Sequence, residues 1–438
     1  MNCISRCAIA VLLLTAAIRP SFAQTLYFPP TSGSVWETTD PAELGYCQNK
    51  IDSLYDFLEL QNSRAFILLK DGKIVLEQYF NGHTSSSLWQ WASAGKTITA
   101  FMTGIAQQEG YLSIDEPTSN YLGEGWTSST PEQEAAITIW HQLTMTSGLD
   151  DDVADPYCTL PECLSYLADP GTRWAYHNGP YTLLDQVIEN ATGTTLNEYT
   201  NDKLKIPTGM TGGFFPVGYN NVFFSNARSM ARFGLLMLNN GNWNGTQIMT
   251  DEEYFTDMIS PSQDINNSYG YLWWLNGQSS YMLPGVQLVI PGYMNPNAPE
   301  DVIMAMGADG QFLNVHAEES LVWLRMGEAP DNVPVPYLLN DDIWKYINEL
   351  VCGTDGVSAI TSAALKVFPN PASNVLRIEA EHAIETITGH NAQGKEVFVL
   401  HPASRSAELH VENLPAGIYF LSTMFSNGSR WSGQLVKE

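Results

Sequence analysis

Trp91-Ala92-Ser93-Ala94-Gly95-Lys96-Thr97 leads into a run where Ile98, Phe101, Met102, Ile105 and Ala106 recur at helical spacing, with Gly110 as a stop. A helix is therefore expected to begin close to Ser93. A hydroxyl and an amine three residues apart share one face of such a helix. Serine becomes a nucleophile only when a neighbouring base accepts its proton, and a helix N-terminus favours the negative charge that results. Lysine can be that base only when neutral, which requires its pKa of about 10.4 to fall by roughly 3 units. Burial with a second cation or a proton network supplies such a fall. Taken alone, S-x-x-K also fits an ordinary helix carrying a solvated lysine, so the chemistry needs further elements.

Tyr176-His177-Asn178 is the second element. Its phenol can exchange protons with the lysine and serine, while the Asn178 amide can bind a substrate carbonyl. His177, between them, reads as a wall of the cleft rather than a proton carrier. Gly307-Ala308-Asp309-Gly310-Gln311 is the third, between two strand-like runs. Small residues such as Gly310 let a substrate lie against the strand edge, with the backbone N–H groups of Gln311 and Ser93 converging on an oxyanion.

Around these elements, residues 65–80 form two β-rich runs about an Asp71-Gly72 turn, a hairpin. Amphipathic stretches occupy 181–191 and 227–239, and strand-like runs 269–275, 287–290, 302–306, 312–315 and 321–326. Residues 341–350 read as a helix. Sheet and helices alternate irregularly, as in an α+β enzyme. The small, polar stretch 353–365 reads as a linker, and the short runs at 375–378, 397–400, 409–411, 418–425 and 434–436 as a small all-β sandwich over 366–438.

The 438 residues are 44% hydrophobic and carry a net charge of −27, from 47 acidic against 20 basic groups. Such a chain has ample material for a core and repels nucleic-acid phosphates. Most of the negative charge lies between residues 24 and 365, scattered as in a solvated surface.

Residues 1–23 join an early Arg6, an apolar run from 8 to 18 and the ending Ser21-Phe22-Ala23, the layout of a cleavable secretory signal. Its apolar run is too short for a hydrocarbon layer that needs about 20 residues, and no other run is long enough to span. Removal of the signal leaves Cys47, Cys158, Cys163 and Cys352 in a chain bound for an oxidising compartment. Three pairings are possible. Cys158 and Cys163 bracket four residues, close enough for a local loop, which leaves Cys47 with Cys352. Neither the cysteine spacing nor the eight dispersed histidines suits a metal, and no H-E-x-x-H pair occurs. Neither metal nor organic cofactor is expected.

With its three elements, the chain resembles the serine β-lactamase and penicillin-binding-protein superfamily, in the class C branch with esterases and 6-aminohexanoate-dimer hydrolases. The likeness runs over roughly residues 45–350, through Gln108-Glu109-Gly110-Tyr111-Leu112-Ser113-Ile114-Asp115, Gln142-Leu143-Thr144-Met145-Thr146-Ser147-Gly148-Leu149, Ser229-Met230-Ala231-Arg232-Phe233-Gly234 and Tyr271-Leu272-Trp273-Trp274. It implies a β-lactamase/transpeptidase-like fold over 24–352: an antiparallel sheet flanked by helices, a helical lobe, and a cleft between them. Ser93 is then the acylated nucleophile, Lys96 and Tyr176 its general-base pair, and Asn178 a substrate-amide contact. The family's adjacent terminal helices likewise motivate a Cys47–Cys352 bridge. Where relatives carry K-T-G or H-x-G, the matching position here is Ala308, followed by Asp309. The lost cation points to ester, amide or peptide substrates that are neutral or cationic, rather than anionic β-lactams. Trp273 and Trp274 fit either a substrate pocket or the core.

Residues 366–438 resemble the C-terminal sorting domain of the type IX (Por) secretion system, through Val367-Phe368-Pro369-Asn370-Pro371-Ala372-Ser373-Asn374-Val375-Leu376, Asn391-Ala392-Gln393-Gly394-Lys395-Glu396-Val397 and Leu414-Pro415-Ala416-Gly417-Ile418-Tyr419-Phe420. That implies passage through the periplasm and export to the cell surface or beyond, with the type IX machinery as partner. The expectation is a secreted serine hydrolase acting on small-molecule or peptide esters and amides. A penicillin-binding or D-amino-acid-peptidase-like protein is the rival within the family, and a non-catalytic surface-binding protein the rival outside it.

Overall fold

The computed structural model describes residues 26–329, 335–352, 365–391, 395–426 and 430–438. The expected signal at 1–23 lies outside them, as does the linker except Leu365, which already belongs to a strand. Between Leu350 and Val351 the chain divides into two compact units.

In the first unit, helix α1 (Gln48–Leu60) precedes the hairpin β1 (Ser63–Lys70) and β2 (Lys73–Tyr79). Its turn places Asp71 and Gly72 at φ +52° and +81°, the left-handed pair that a two-residue hairpin of matching twist requires. Helices α2 (Lys96–Gln108), α3 (Asn178–Thr192) and α4 (Ala227–Leu238) follow. Strands β3 (Trp274–Leu275), β4 (Ile303–Gly307), β5 (Gln311–His316) and β6 (Leu321–Gly327), then helix α5 (Tyr337–Asn348), complete the unit. The sheet is antiparallel in the order β2-β1-β6-β5-β4-β3. Strands β5 and β6 are buried throughout, because alternate side chains meet different helices. Leu313 and Val322 press against Gly234 of α4. On the opposite face, Trp323 packs edge-on against Trp344 of α5 at 5.7 Å, and Asn314 accepts a hydrogen bond from the Trp344 indole at 2.9 Å.

Two expected strands shrink. Within 269–275 only Trp274–Leu275 joins the sheet, because Leu272 turns the backbone into the left-handed region at φ +61°. Within 287–290 only Ile290 is paired, and Leu288 and Val289 are exposed. Helix α5 starts at Tyr337, earlier than the expected 341.

The second unit is a curled all-β domain of β7 (Leu365–Phe368), β8 (Val375–Asn391), β9 (Glu396–Leu400), β10 (Ser404–His410), β11 (Gly417–Phe425) and β12 (Arg430–Lys437). Long β8 pairs with β10 through its first residues and with β11 through its last, with register shifts between. One strand thereby serves both sides of a core holding Leu376, Ile378, Ile387, Leu421 and Leu435. Trp431 packs against that core. The expected turns at Gln393-Gly394 and Asn427-Gly428 fall outside the described residues.

Cys158 and Cys163 form a disulfide. Cys47 and Cys352 are both disulfide-bonded as well, and the Cys47 N–H donates to Leu350 O at 2.9 Å.

Candidate active site

Ser93 sits in a 3₁₀ turn, Ala92–Gly95, and α2 proper begins only at Lys96. The helix thus starts later than the periodicity implies, because the preceding backbone is pinned elsewhere. The Trp91 N–H donates to Phe223 O and its indole N–H to Ser225 Oγ, both at 2.8 Å. Ala92 is held at φ +45°, a conformation that costs a non-glycine residue about 1–3 kcal/mol and persists only where its surroundings impose it.

Lys96 is buried, 4% exposed, with Nζ 2.9 Å from Ser93 Oγ. The amine also lies over two rings, 4.2 Å from the centre of Tyr181 and 5.2 Å from that of Tyr176. Burial lowers its pKa from the usual 10.5 to about 7, against the opposing pull of the Asp185 carboxylate. Tyr176 completes the group: burial pushes its pKa upward, and Ser93 beside it opposes the rise. The phenol therefore keeps its proton at neutral pH. Its ring stacks on Trp274 at 5.8 Å, so Trp274 borders the site whereas Trp273 stacks on Phe233 in the core.

Asn178 opens α3, its Oδ1 buried without a hydrogen-bond partner. His177 is 2% exposed, both ring nitrogens lack partners, and burial lowers its pKa to about 4. Its imidazole is therefore neutral at neutral pH.

In the third element, the residue against the serine is Gly307. A Cβ there would stand 2.5 Å from Trp91 O, 2.8 Å from Ala94 N and 3.0 Å from Ser93 N. Gln311 requires a correction as an oxyanion donor. Its backbone N–H donates to Ala308 O, and its side chain is buried between strands, bonding Gly327 O at 2.6 Å and Gly327 N at 3.0 Å. Gly310 faces the guanidinium of buried Arg325, which donates to Asp309 O and Gly310 O at 2.9 and 2.7 Å and so clamps this turn. Gly307→Ala is expected to slow labelling of the Ser93 hydroxyl by a fluorophosphonate at least about 100-fold, because backbone atoms cannot yield to a methyl group and a 1 Å displacement of reacting groups costs that much. Labelling rates followed by intact mass check it.

Sequence reasoning missed Tyr181, Asp185 and Arg325. Asn178, Tyr181 and Asp185 recur at helical spacing, and an acidic residue inside that otherwise apolar stripe is a visible signal. Arg325, amid the apolar run of β6, is another. Among the described residues, Asp301, His316 and Glu318 are the one group whose ligating atoms lie within 4.8 Å of one another. They lie beyond the opposite end of β4 from Gly307, where His316 Nε2 stands 3.0 Å from Asp301 Oδ1.

The sequence model described as Beta-lactamase matches residues 62–311, a span that contains Ser93, Lys96, Tyr176 and Gly307. The chain belongs to the Beta-lactamase family. Penicillin-binding protein 4* of Bacillus subtilis is 26% identical over 194 residues, covering 37% of this chain and 41% of that protein. A β-lactamase of Escherichia coli is 26% identical over 122 residues, covering 26% and 31%. The chain thus spans less than half the length of either relative. Among solved structures, a penicillin-binding protein homologue from Caulobacter crescentus is similar with a TM-score of 0.53 at 12% identity, covering 69% of this chain and 98% of that one. A family VIII carboxylesterase gives 0.52 at 14% identity, covering 69% and 97%. These last likenesses concern the fold. A second model, the secretion system C-terminal sorting domain, matches residues 366–438. This Beta-lactamase-family chain therefore carries the signal for type IX export to the cell surface or the medium. Among the described residues no helix is long and apolar enough to cross a membrane.

Proposed function

We propose that this protein is an exported serine hydrolase that cleaves neutral or cationic esters or amides through an acyl-enzyme on Ser93. The observation that carries the reading is a buried amine, depressed to a pKa of about 7, placed 2.9 Å from a serine hydroxyl. Neutral Lys96 takes the Ser93 proton as Oγ adds to the substrate carbonyl. The oxyanion is met by the Ser93 N–H and by backbone N–H at Gly307–Ala308, the segment that abuts it. As the tetrahedral intermediate collapses, Tyr176 hands its proton to the leaving alcohol or amine and is reprotonated from the Lys96 ammonium. Water then attacks the acyl group by the same path, returning the acid and free Ser93. The unpartnered Oδ1 of Asn178 accepts an N–H from an amide-bearing substrate.

Charge selects among substrates. Ala308 and Asp309 replace the cation that would hold a substrate carboxylate, and the Arg325 guanidinium beneath them is buried and engaged by carbonyls. Like charges brought together cost several kcal/mol. Hydrolysis of p-nitrophenyl butyrate by the mature chain is expected to exceed that of the anionic cephalosporin nitrocefin at least about 100-fold in kcat/KM. Equal or reversed efficiencies would give the penicillin-directed reading the better claim.

A further inference from the structure

Two layers of contact join α2 to α3. In the first, the Lys96 amine lies over the Tyr181 ring at 4.2 Å. In the second, one turn further along both helices, Thr99 Oγ1 donates to Asp185 Oδ1 at 3.2 Å. Lys96 and Thr99 are separated by three residues and Tyr181 and Asp185 by four, so the Thr99–Asp185 contact lies about one helical turn beyond the Lys96–Tyr181 contact. Asp185 is 7% exposed, and its Oδ2 has no hydrogen-bond partner among the described residues. A buried carboxylate so lightly satisfied costs stability, and neither fold nor proposed chemistry so far needs it.

We propose that Asp185 is a positioning residue for the reaction at Ser93, acting through Lys96: its carboxylate, in the contact one turn along, sets how readily that amine gives up its proton. The inference rests on the reading of Lys96 as the base. The groups facing the amine are Ser93 from its own turn, Tyr176 from the segment before α3, and Tyr181 and Asp185 from α3. Those facing Asp185 are Thr99 from α2, Asn221 from the segment preceding α4, Glu189 on α3, and Lys96. Burial raises Asp185 to about 7 while Thr99 and Asn221 oppose the rise, so the carboxylate ionises over the same pH range in which the amine must lose its proton. An ionised Asp185 favours the ammonium and holds Lys96 up against burial. Removing that charge leaves burial unopposed, and the free amine persists to lower pH.

The pH dependence of Ser93 phosphonylation by a fluorophosphonate, followed by intact mass, tests this in the mature chain. Asp185→Asn, nearly isosteric and still able to accept from Thr99, is expected to move the acid limb down by about half a pH unit or more, a roughly threefold gain on the limb relative to its own plateau. Thr99→Val, which strips the carboxylate of a donor and keeps it protonated to higher pH, should move the limb the same way by less. Superimposed limbs for wild type and Asp185→Asn, whatever the plateaus, would overturn the proposal. If Asp185→Asn does not fold, Thr99→Val decides by the same criterion. Wild type left unlabelled at Ser93 would overturn the hydrolase reading itself, and the inference with it.

Discussion

Lys96→Met should lower the rate of Ser93 acylation about 1,000-fold or more and leave a protein that melts higher than wild type. The loss follows from removing the proposed base, and a general base contributes about 10²–10⁴. Tyr176 cannot replace it, because burial holds the phenol in its protonated form. The gain in stability follows from the same burial. The unfolded chain holds a proton on this lysine up to about 10.5, whereas the folded protein sheds it near 7. Between those values the unfolded state binds more protons, so wild-type stability rises with pH. Below about 7 the fold carries a buried ammonium at full desolvation cost. Methionine, of similar length and apolar, has no such cost. The melting temperature of Lys96→Met should therefore exceed that of wild type most at pH 7 and below, and the gap should narrow toward pH 10. Calorimetry across that range checks the sign as well as the size.

Ser93→Ala should reduce ester turnover to the background, a loss of about 10⁴-fold or more, since no covalent intermediate can form and only binding and oxyanion contacts remain. The substitution removes one partly exposed oxygen from a 3₁₀ turn held by Trp91 and Gly307, so the fold should be unaffected. Its value lies in the separation it gives. Should a Lys96→Met, Ser93→Ala double variant be no slower than either single variant, the two residues work as one unit, as a base and its nucleophile must.

The outline of this protein was legible because its signals are local. Asp71-Gly72 needs only two residues to declare a hairpin, and the repeat from Ile98 to Ala106 needs three turns to declare a helix. The proposed nucleophile and its neighbours are legible for a related reason: Ser93 with Lys96, and Tyr176 with Asn178, are each fixed in register by their own segment. What escaped depends on partners distant in sequence. The 3₁₀ start of α2 is imposed by Phe223 and Gly307, more than 120 residues away. Gln311 looked like an oxyanion donor because spacing alone does not reveal that a hairpin has already engaged its N–H. Asp185 was absorbed into an amphipathic stretch, since its meaning appears only when α3 lies against α2. The long β8, shared by both sides of the C-terminal core, reads in sequence as a short run, because a strand that changes partners midway keeps no single alternation.

Reaction at Ser93 through this mechanism requires an amine that gives up its proton near pH 7. NMR of the mature chain labelled with ¹³C at lysine Cε follows each lysine through its titration, with Lys96→Met identifying the resonance. One signal, missing from the variant, should titrate near pH 7, as burial of Lys96 requires. If every lysine, Lys96 included, titrates near its usual 10.5, Ser93 has no base and the mechanism fails.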